Sequence, residues 1–493
     1  MKNKKNVKLM KFDSNVQMLK YTVLESVSRY EIEGKLMNSF YKIPKEIIKG
    51  PDPVSRCCIY KERAIVEERV QMAIGGDKDN KNIVEVLEIA CDECPVTSYT
   101  VTDRCRGCVA HKCVEACPFG AISLVDKKAV INRDLCKECG KCKAACPFEA
   151  ISYVQRPCIK SCEAKAISIN QNNKAIIDEK KCIQCGNCVY NCPFGAIMDK
   201  SYVTDVIKLI KDGKMNKYNV YAIVAPAISS QFSYAKIGQV VTAIKELGFH
   251  QVLEAALGAD IVALNEASDF ASEIEELKVM TTSCCPAFAS YIRKNYPELS
   301  DNISTSVSPM IAVARLIKDI DKTAKVVFIG PCIAKKGEIL EDDLKGSCDF
   351  VLTFEELLAY LDAADICIED MKESPLDNAS FFGRIFARSG GVTESIKHVI
   401  EDKKLDVEFK PIICNGLKEC NTALKLAKIG KLNGNFIEGM ACLGGCIGGP
   451  ATLSRKLKDK KEVDKYGNMA IEKSINDSVR IFNIDNINLK RNK

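Results

Sequence analysis

The sequence predicts an α/β domain in its C-terminal half, preceded by an α+β region rich in cysteine and a small helical N-terminal region. Three observations carry that reading. Cysteine density changes sharply along the 493 residues, with two cysteines before residue 85, sixteen between 86 and 200, and few beyond. Apolar positions in "VQMLKYTVLESVSRYEIEGKLM" and "YKERAIVEERVQMAI" recur at helical spacing. Beyond residue 205, short apolar runs such as "VVFI" alternate with helical patterns, as in a parallel sheet crossed by helices. The limits read as 1–85 for the helical region, 86–200 for the cysteine-rich region, 205–482 for the α/β domain and 483–493 for a tail.

At 47% hydrophobic and 28% charged, the composition is that of a globular chain. No apolar run approaches the roughly 18 residues a membrane span needs. The start "MKNKKNVKLMKFDSN" is basic but no apolar segment follows it, so a cytoplasmic address is expected rather than secretion. The net charge of +6 counts every cysteine as neutral. Metal-bound thiolates would erase it, and no nucleic-acid partner is expected. The 27 cysteines stand against three histidines and no tryptophan. A large cytosolic chain does not keep so many thiols for disulfides, and the shortage of histidine favours iron–sulfur clusters over zinc or haem.

The cysteine-rich region repeats itself. Its units are "CRGCVAHKCVEACPFGAISL", "CKECGKCKAACPFEAISY", "CIKSCEAKAISI" and "CIQCGNCVYNCPFGAIM". The second and fourth follow C-x2-C-x2-C-x3-C-P with Cys136, Cys139, Cys142, Cys146 and with Cys182, Cys185, Cys188, Cys192. The first has a longer middle gap, using Cys105, Cys108, Cys113 and Cys117, and the third keeps only Cys158 and Cys162. These units resemble bacterial ferredoxins, in which three close thiolates hold one cubane and the fourth completes the neighbouring one. By that rule Cys105, Cys108 and Cys113 join Cys146, Cys136, Cys139 and Cys142 join Cys117, and Cys182, Cys185 and Cys188 join Cys162. Cys158 and Cys192 then lack two partners, which Cys91 and Cys94 of "CDECP" have the spacing to supply. Four [4Fe–4S] clusters result; three, with Cys91 and Cys94 as structural thiols or a small zinc site, is the alternative.

In the α/β domain three cysteine-bearing loops follow predicted strands: "TTSCCPAF" after "LKVM", "PCIAKKGE" after Val326 to Ile329, and "EGMACLGGCIGGP". Loops beyond strand ends are where α/β domains bind ligands. In this order, the three resemble the active-site signatures of the [FeFe]-hydrogenases, and "GRIFARSGGVTESI" resembles that family's "TGGVMEA" segment. The fold class implied is an α/β H-cluster domain of [FeFe]-hydrogenase type, preceded by α+β ferredoxin-like iron–sulfur domain(s) and the helical region. The resemblance implies that Cys285, Cys332, Cys442 and Cys446 hold a [4Fe–4S] cubane. Cys446 would bridge it to a di-iron subsite carrying CO, cyanide and an azadithiolate, the two together forming the H-cluster. Lys335 would contact one cyanide through charge-assisted hydrogen bonds. Met440, Pro226 and Ala227 would line the cavity. Cys284 would pass protons, with Glu266, Ser304 and Asp269 leading toward the surface; a thiol's ordinary pKa of about 8.5 is readily moved by its surroundings.

Gly330, Met310 and Phe288 depart from the methionine, glutamine and tryptophan common in the family, which implies a looser, less hydrogen-bonded pocket. Within the family, the sequence most resembles the clostridial monomeric branch, with these pocket residues altered. Cys348, Cys367, Cys414 and Cys420 read as buried structural thiols. Cys57 and Cys58 read as structural without a full account. His111, His250 and His398 form no ligand group, and the Lys-rich "LSRKLKDKKEVDK" reads as a solvated face or a docking surface for an acidic partner. The implied activity is reversible reduction of protons to dihydrogen, with electrons from ferredoxin or another low-potential carrier and maturation proteins as further partners. A hydrogen-sensing relative of low turnover and a non-catalytic iron–sulfur assembly protein are the alternatives.

Overall fold

Ser14 opens the first long helix, α1 (Asn15–Ile32), by accepting the Gln17 N–H, one of the donors a helix start leaves free. The structure, a computed structural model, describes residue 6 and residues 12–491 apart from 217 and 457. Most of the basic N-terminal stretch, one residue of the Lys-rich segment and the last two of the tail lie outside the described residues. After α2 (Ile59–Ala73) the cysteine-rich region consists of short antiparallel ladders. β1 (Val84–Val86) pairs with β8 (Ile197–Asp199), β2 (Ser98–Val101) with β5 (Ile151–Val154), β3 (Ile122–Val125) with β4 (Lys128–Ile131), and β6 (Ile167–Ile169) with β7 (Ala175–Ile177). The β1–β8 ladder brings the segment ahead of Cys91 and Cys94 back to the last ferredoxin-like unit, matching Val84 to Asp199.

The α/β domain follows α3 (Val203–Asn216). Its strands are β9 (Val220–Val224), β10 (Gln251–Glu254), β11 (Met280–Thr281), β12 (Lys325–Gly330), β13 (Phe350–Thr353), β14 (Pro411–Asn415) and β15 (Phe436–Met440). They form two parallel sheets, of order β10-β9-β12-β13 and β11-β15-β14. Val326 to Ile329 and Phe436 to Met440 are buried throughout, as expected of strands covered on both faces. The crossing helices include α4 (Ala255–Leu277), α5 (Pro286–Asn295), α6 (Pro309–Ile320), the short α7 (Ala334–Glu338), α8 (Phe354–Ala363), α9 (Gly391–Asp402) and α10 (Leu417–Lys428).

The N-terminal helices share the α/β domain's core rather than making their own. Tyr21, Leu24 and Val27 of α1 and Val66 and Val70 of α2 join one apolar cluster with Val206, Val351 and Leu357. Tyr21 donates its hydroxyl to Asp362 at 2.6 Å, and Gln17 and Lys20 reach Glu355. The cysteine-rich region divides likewise. Its inner lobe packs Ile197 and Val189 with Ile333 and Ala451 of the α/β domain, while the outer lobe has a small core of its own around Ile122, Ala129 and Ile151.

Candidate active site

Loops at the C-terminal ends of β9, β11, β12 and β15 enclose a cavity of about 90 Å³. One water needs roughly 10–15 Å³ on the same measure, so the space suits a group of several heavy atoms. Its wall takes Pro226 from the first loop, Cys284 and Cys285 from the second, Cys332 and Lys335 from the third, and Met440 and Cys446 from the fourth. Ala227, expected on that wall, is instead fully buried behind it. The 3₁₀ turn Pro226–Ser230 carries its methyl into the core, and Ala225 lines the cavity in its stead.

Local chemistry fixes each loop. Cys285 caps α5, with Pro286 at the first helical position, where no N–H is needed. Thr282 pins this loop to β15: its N–H donates to Ile437 at 3.1 Å and its hydroxyl accepts the Gly439 N–H at 3.1 Å. Gly445 has φ +89°, and a Cβ there would stand 2.7 Å from the Ser389 nitrogen, so glycine alone lets the Cys442–Cys446 loop lie against residues 387–389. Glu438 anchors that neighbouring segment from below, accepting the N–H groups of Gly390 at 2.6 Å and Thr393 at 2.8 Å.

The four cysteines face one another. Burial, and after it Cys285, push Cys332 up to about 11; burial and then Cys332 and Cys285 push Cys446 up to about 12. Cys442 is raised by burial and by Cys332, Cys285 and Cys446. It borders a neighbouring polar cleft of about 610 Å³, which Cys185 of the inner cluster lobe also lines. Thiols so placed would ionise together only with positive charge among them, which an iron–sulfur core would supply. Lys335 is buried and points its ammonium at the Cys284 carbonyl, 3.3 Å away. Burial alone would lower its pKa, but the Glu338 carboxylate at 2.7 Å, with Cys332 and Cys284, raises it and keeps the ammonium charged.

Cys284 stands apart from those four in its surroundings. Its thiol is pushed up by burial and next by Glu266. Glu266, on α4, is fully buried, and neither carboxyl oxygen makes a well-formed hydrogen bond, although the Ser304 hydroxyl and the Ser283 N–H lie close enough to lower its pKa. Burial dominates and raises this carboxyl to about 7. One turn on, Asp269 is 13% exposed and meets Lys490 at 3.3 Å. Asn265 bridges Asp269 at 2.9 Å and Ser306 at 2.8 Å. Asn265 and Ser306 escaped the sequence reading, since no motif marks them.

The departures from the family pattern have local answers. Phe288 is buried with its ring where a Cβ at Gly439 would be, 2.1 Å from it. The Phe328 ring occupies the space into which a side chain at 330 would extend, 2.6 Å from a Cβ there. Phe328 and Met310 both line the cavity and make its wall apolar there.

In the cysteine-rich region the structure brings thiols of neighbouring units together. Cys113 faces Cys146 and Cys108, and Cys142 faces Cys136 and Cys117. Cys188 faces Cys185, Cys182 and Cys162. Burial, then Cys192, Cys94 and Cys91, push Cys158 up to about 11. The fourth cysteine of every unit accepts the N–H of an alanine four residues on: Cys117 from Ala121 at 3.3 Å, Cys146 from Ala150 at 3.4 Å, Cys162 from Ala166 at 3.3 Å and Cys192 from Ala196 at 3.2 Å. Cys105 and Cys139 lie with the outer lobe's groups, at its surface. Among the described residues, no three His, Cys, Asp or Glu side chains close on one point as ligands of a single metal ion. A cubane instead offers a separate iron to each thiolate. Of the other cysteines, Cys348, Cys414 and Cys420 are buried and Cys367 is partly exposed. His398 stacks on Phe382 with centroids 3.9 Å apart.

Comparison with known proteins agrees with this architecture. Residues 218–450 match the family described as iron only hydrogenase large subunit, C-terminal domain. Residues 104–150 match a 4Fe-4S dicluster domain and residues 151–203 the LdpA Fe-S cluster-binding domain. The chain is 32% identical over 304 residues to the periplasmic [Fe] hydrogenase large subunit of Nitratidesulfovibrio vulgaris, covering 51% of this chain and 72% of that one. It is 30% identical over 290 residues to iron hydrogenase 1 of Clostridium pasteurianum, covering 50% of each, and so spans about half that relative's length. A solved variant of [FeFe]-hydrogenase HydA1 from Chlamydomonas reinhardtii aligns at 19% identity and TM-score 0.48, covering 57% of this chain and 93% of that one. Strand-end cysteine loops in an α/β domain, joined to lobes that match cluster-binding domains, define the class as an iron–sulfur protein. The chain belongs to the iron-only, or [FeFe], hydrogenase family. No helix among the described residues is long and apolar enough to cross a membrane.

Proposed function

We propose that this protein is a hydrogenase that reversibly reduces protons to dihydrogen, with electrons drawn from ferredoxin or a similar low-potential carrier by way of iron–sulfur clusters. The observation that carries the reading is the adjacency of Cys284 and Cys285 on the wall of one cavity, with Glu266 buried beside Cys284. Cys285, Cys332, Cys442 and Cys446 are the ligand set for a cubane, and Cys446 the bridge to a di-iron unit. When bound, that unit would supply the metal centre at which protons and electrons are exchanged with dihydrogen.

The chain's own residues then divide the work. Lys335, held charged by Glu338, offers an ammonium to anionic ligands of the bound group. Met440, Phe328 and Pro226 give the cavity apolar walls. Cys284 holds a proton at its sulfur, and Glu266, near 7, can take or return one at neutral pH, which is the condition an efficient relay requires. Ser304 and Asp269 extend the route toward Lys490 and solvent. In the cysteine-rich region the four groups would hold four cubanes, Cys91 and Cys94 completing the one that Cys158 and Cys192 begin. We take 86–200 and 205–482 as the cluster-bearing and catalytic units, with maturation proteins delivering the di-iron unit. Infrared spectroscopy of the matured protein, paired with hydrogen evolution from a reduced low-potential carrier, tests this. CO and cyanide bands with turnover are expected; their absence after maturation overturns the reading.

A further inference from the structure

One thiol pair belongs to none of these groups. Cys57 is exposed and Cys58 partly so, with their sulfurs 4.0 Å apart. Cys58 is the N-cap of α2, a helix of 15 residues. The Lys61 N–H is the main cause that holds the Cys58 thiol below its ordinary range, with Cys57, the Tyr60 N–H and the Lys61 ammonium adding to it. Three of the four thiols read as structural differ from it in being buried: Cys348, Cys414 and Cys420. Partial exposure, a helix start and nearby cations are the surroundings of a reactive thiol, and an adjacent second thiol is what resolves its adducts.

The pair is also wired to the cluster region. Arg56 donates to the Asp92 carboxylate at 3.0 Å and to the Ala90 carbonyl at 3.1 Å, while Lys61 makes an ion pair with the same Asp92. Asp92 stands between Cys91 and Cys94. Residues on both sides of the two thiols therefore grip the loop that completes the inner lobe.

We propose that Cys57 and Cys58 form a thiol–disulfide exchange site whose substrate is a low-molecular-weight disulfide. The Cys58 thiolate attacks one sulfur of the disulfide, forming a mixed disulfide and releasing one thiolate, which takes a proton from water. Cys57 then loses its proton to water and attacks the Cys58 sulfur, expelling the second thiolate. Two protein thiols are oxidised by two electrons, and one disulfide is reduced to two thiols. Closing the pair draws the Cys58 sulfur away from the α2 N–H groups and alters the grip of Arg56 and Lys61 on Asp92. The site is independent of the hydrogenase reading.

The test uses the full-length, cluster-loaded protein, treated anaerobically with oxidised glutathione, with remaining thiols then blocked by alkylation. Trypsin cuts after Arg56 and Lys61, so the peptide 57–61 reports the pair by mass. In the wild type this peptide should lose two hydrogens. In Cys57→Ser the glutathione adduct should persist on Cys58, and in Cys58→Ser adduct formation should slow by about threefold or more, since the better-ionised thiol is gone. A wild-type pair that stays reduced, or a Cys57→Ser protein without adduct on Cys58, overturns the proposal.

Discussion

The Lys336 ammonium and the Asp199 carboxylate lie 2.8 Å apart, both removed from water. Lys336 follows Lys335 in the second cysteine loop, whereas Asp199 ends β8, the strand that closes the inner cluster lobe. Lys336 also meets Glu356 at 2.8 Å and the Lys200 carbonyl at 2.7 Å, and Lys20 of α1 meets Asp199 and Glu355, each at 2.6 Å. One buried network thus joins the N-terminal helix, the cluster lobe and the loop that carries Cys332 and Lys335.

Removing one member should therefore cost more than a surface ion pair would. Lys336→Met takes the ammonium from Glu356 and leaves Asp199 to share Lys20 with Glu355, a change that costs about 3–5 kcal/mol in buried networks. Thermal unfolding of the cluster-loaded protein should show a midpoint lower by several degrees, with earlier proteolysis between the cluster lobe and the α/β domain. An unchanged midpoint would show that the network carries no such energy.

Replacing Cys91 and Cys94 together by serine should lower the iron content by about four atoms per chain, the complement of one cubane. Paramagnetic spectra of the reduced protein should lose one cluster's contribution and keep the rest. Iron content equal to wild type would sink the four-cluster assignment and leave these two as structural thiols.

The iron–sulfur domains were legible in the sequence because their cysteines are locally spaced. A C-x2-C-x2-C spacing is a property of one short loop, and the three later signatures each sit on a single strand end. The Lys20–Asp199–Lys336 network was not legible, because its partners lie 179 and 137 residues apart and lysines next to acidic helices ordinarily read as solvated. The N-terminal helices were legible as helices, but their merging with the α/β core depends on Tyr21 and Lys20 finding Asp362 and Glu355 across the fold. Glu266 shows the same limit in one residue. Its helical spacing is compatible with a surface carboxylate, and only the packing of α4 reveals that it is buried.

The adjacent thiols at 284 and 285 should fail differently. Cys284→Ala removes a proton-holding group and leaves the facing four intact, so infrared bands of the bound group should persist. Turnover should fall by roughly 10²-fold or more, the usual loss when a positioned acid–base group is deleted. Cys285→Ala removes one of the four facing thiols and should abolish the bands along with activity. Equal turnover in Cys284→Ala and wild type would refute the proton role.

Glu266→Gln separates stability from proton transfer. The carboxyl titrates near 7 in the folded chain, against an ordinary 4.5, because burial disfavours its charge. Between those values the folded state holds a proton that the unfolded state has released, so stability falls as pH rises through the window. The loss is roughly 3 kcal/mol and is complete above pH 7. Glutamine never ionises, so the variant should match wild type near pH 4 and exceed its stability by up to that amount at pH 8. Its turnover should nevertheless drop by about 10²-fold, because an amide cannot pass a proton. Asp260, also raised to about 7 chiefly by burial, remains in both proteins and its pH dependence cancels in the comparison. Unfolding midpoints and hydrogen evolution, each followed from pH 5 to pH 8, therefore have to move in opposite directions. A variant that loses stability at pH 8 as well as turnover would mean that Glu266 is ionised and satisfied in the folded protein, and would remove it from the proton route.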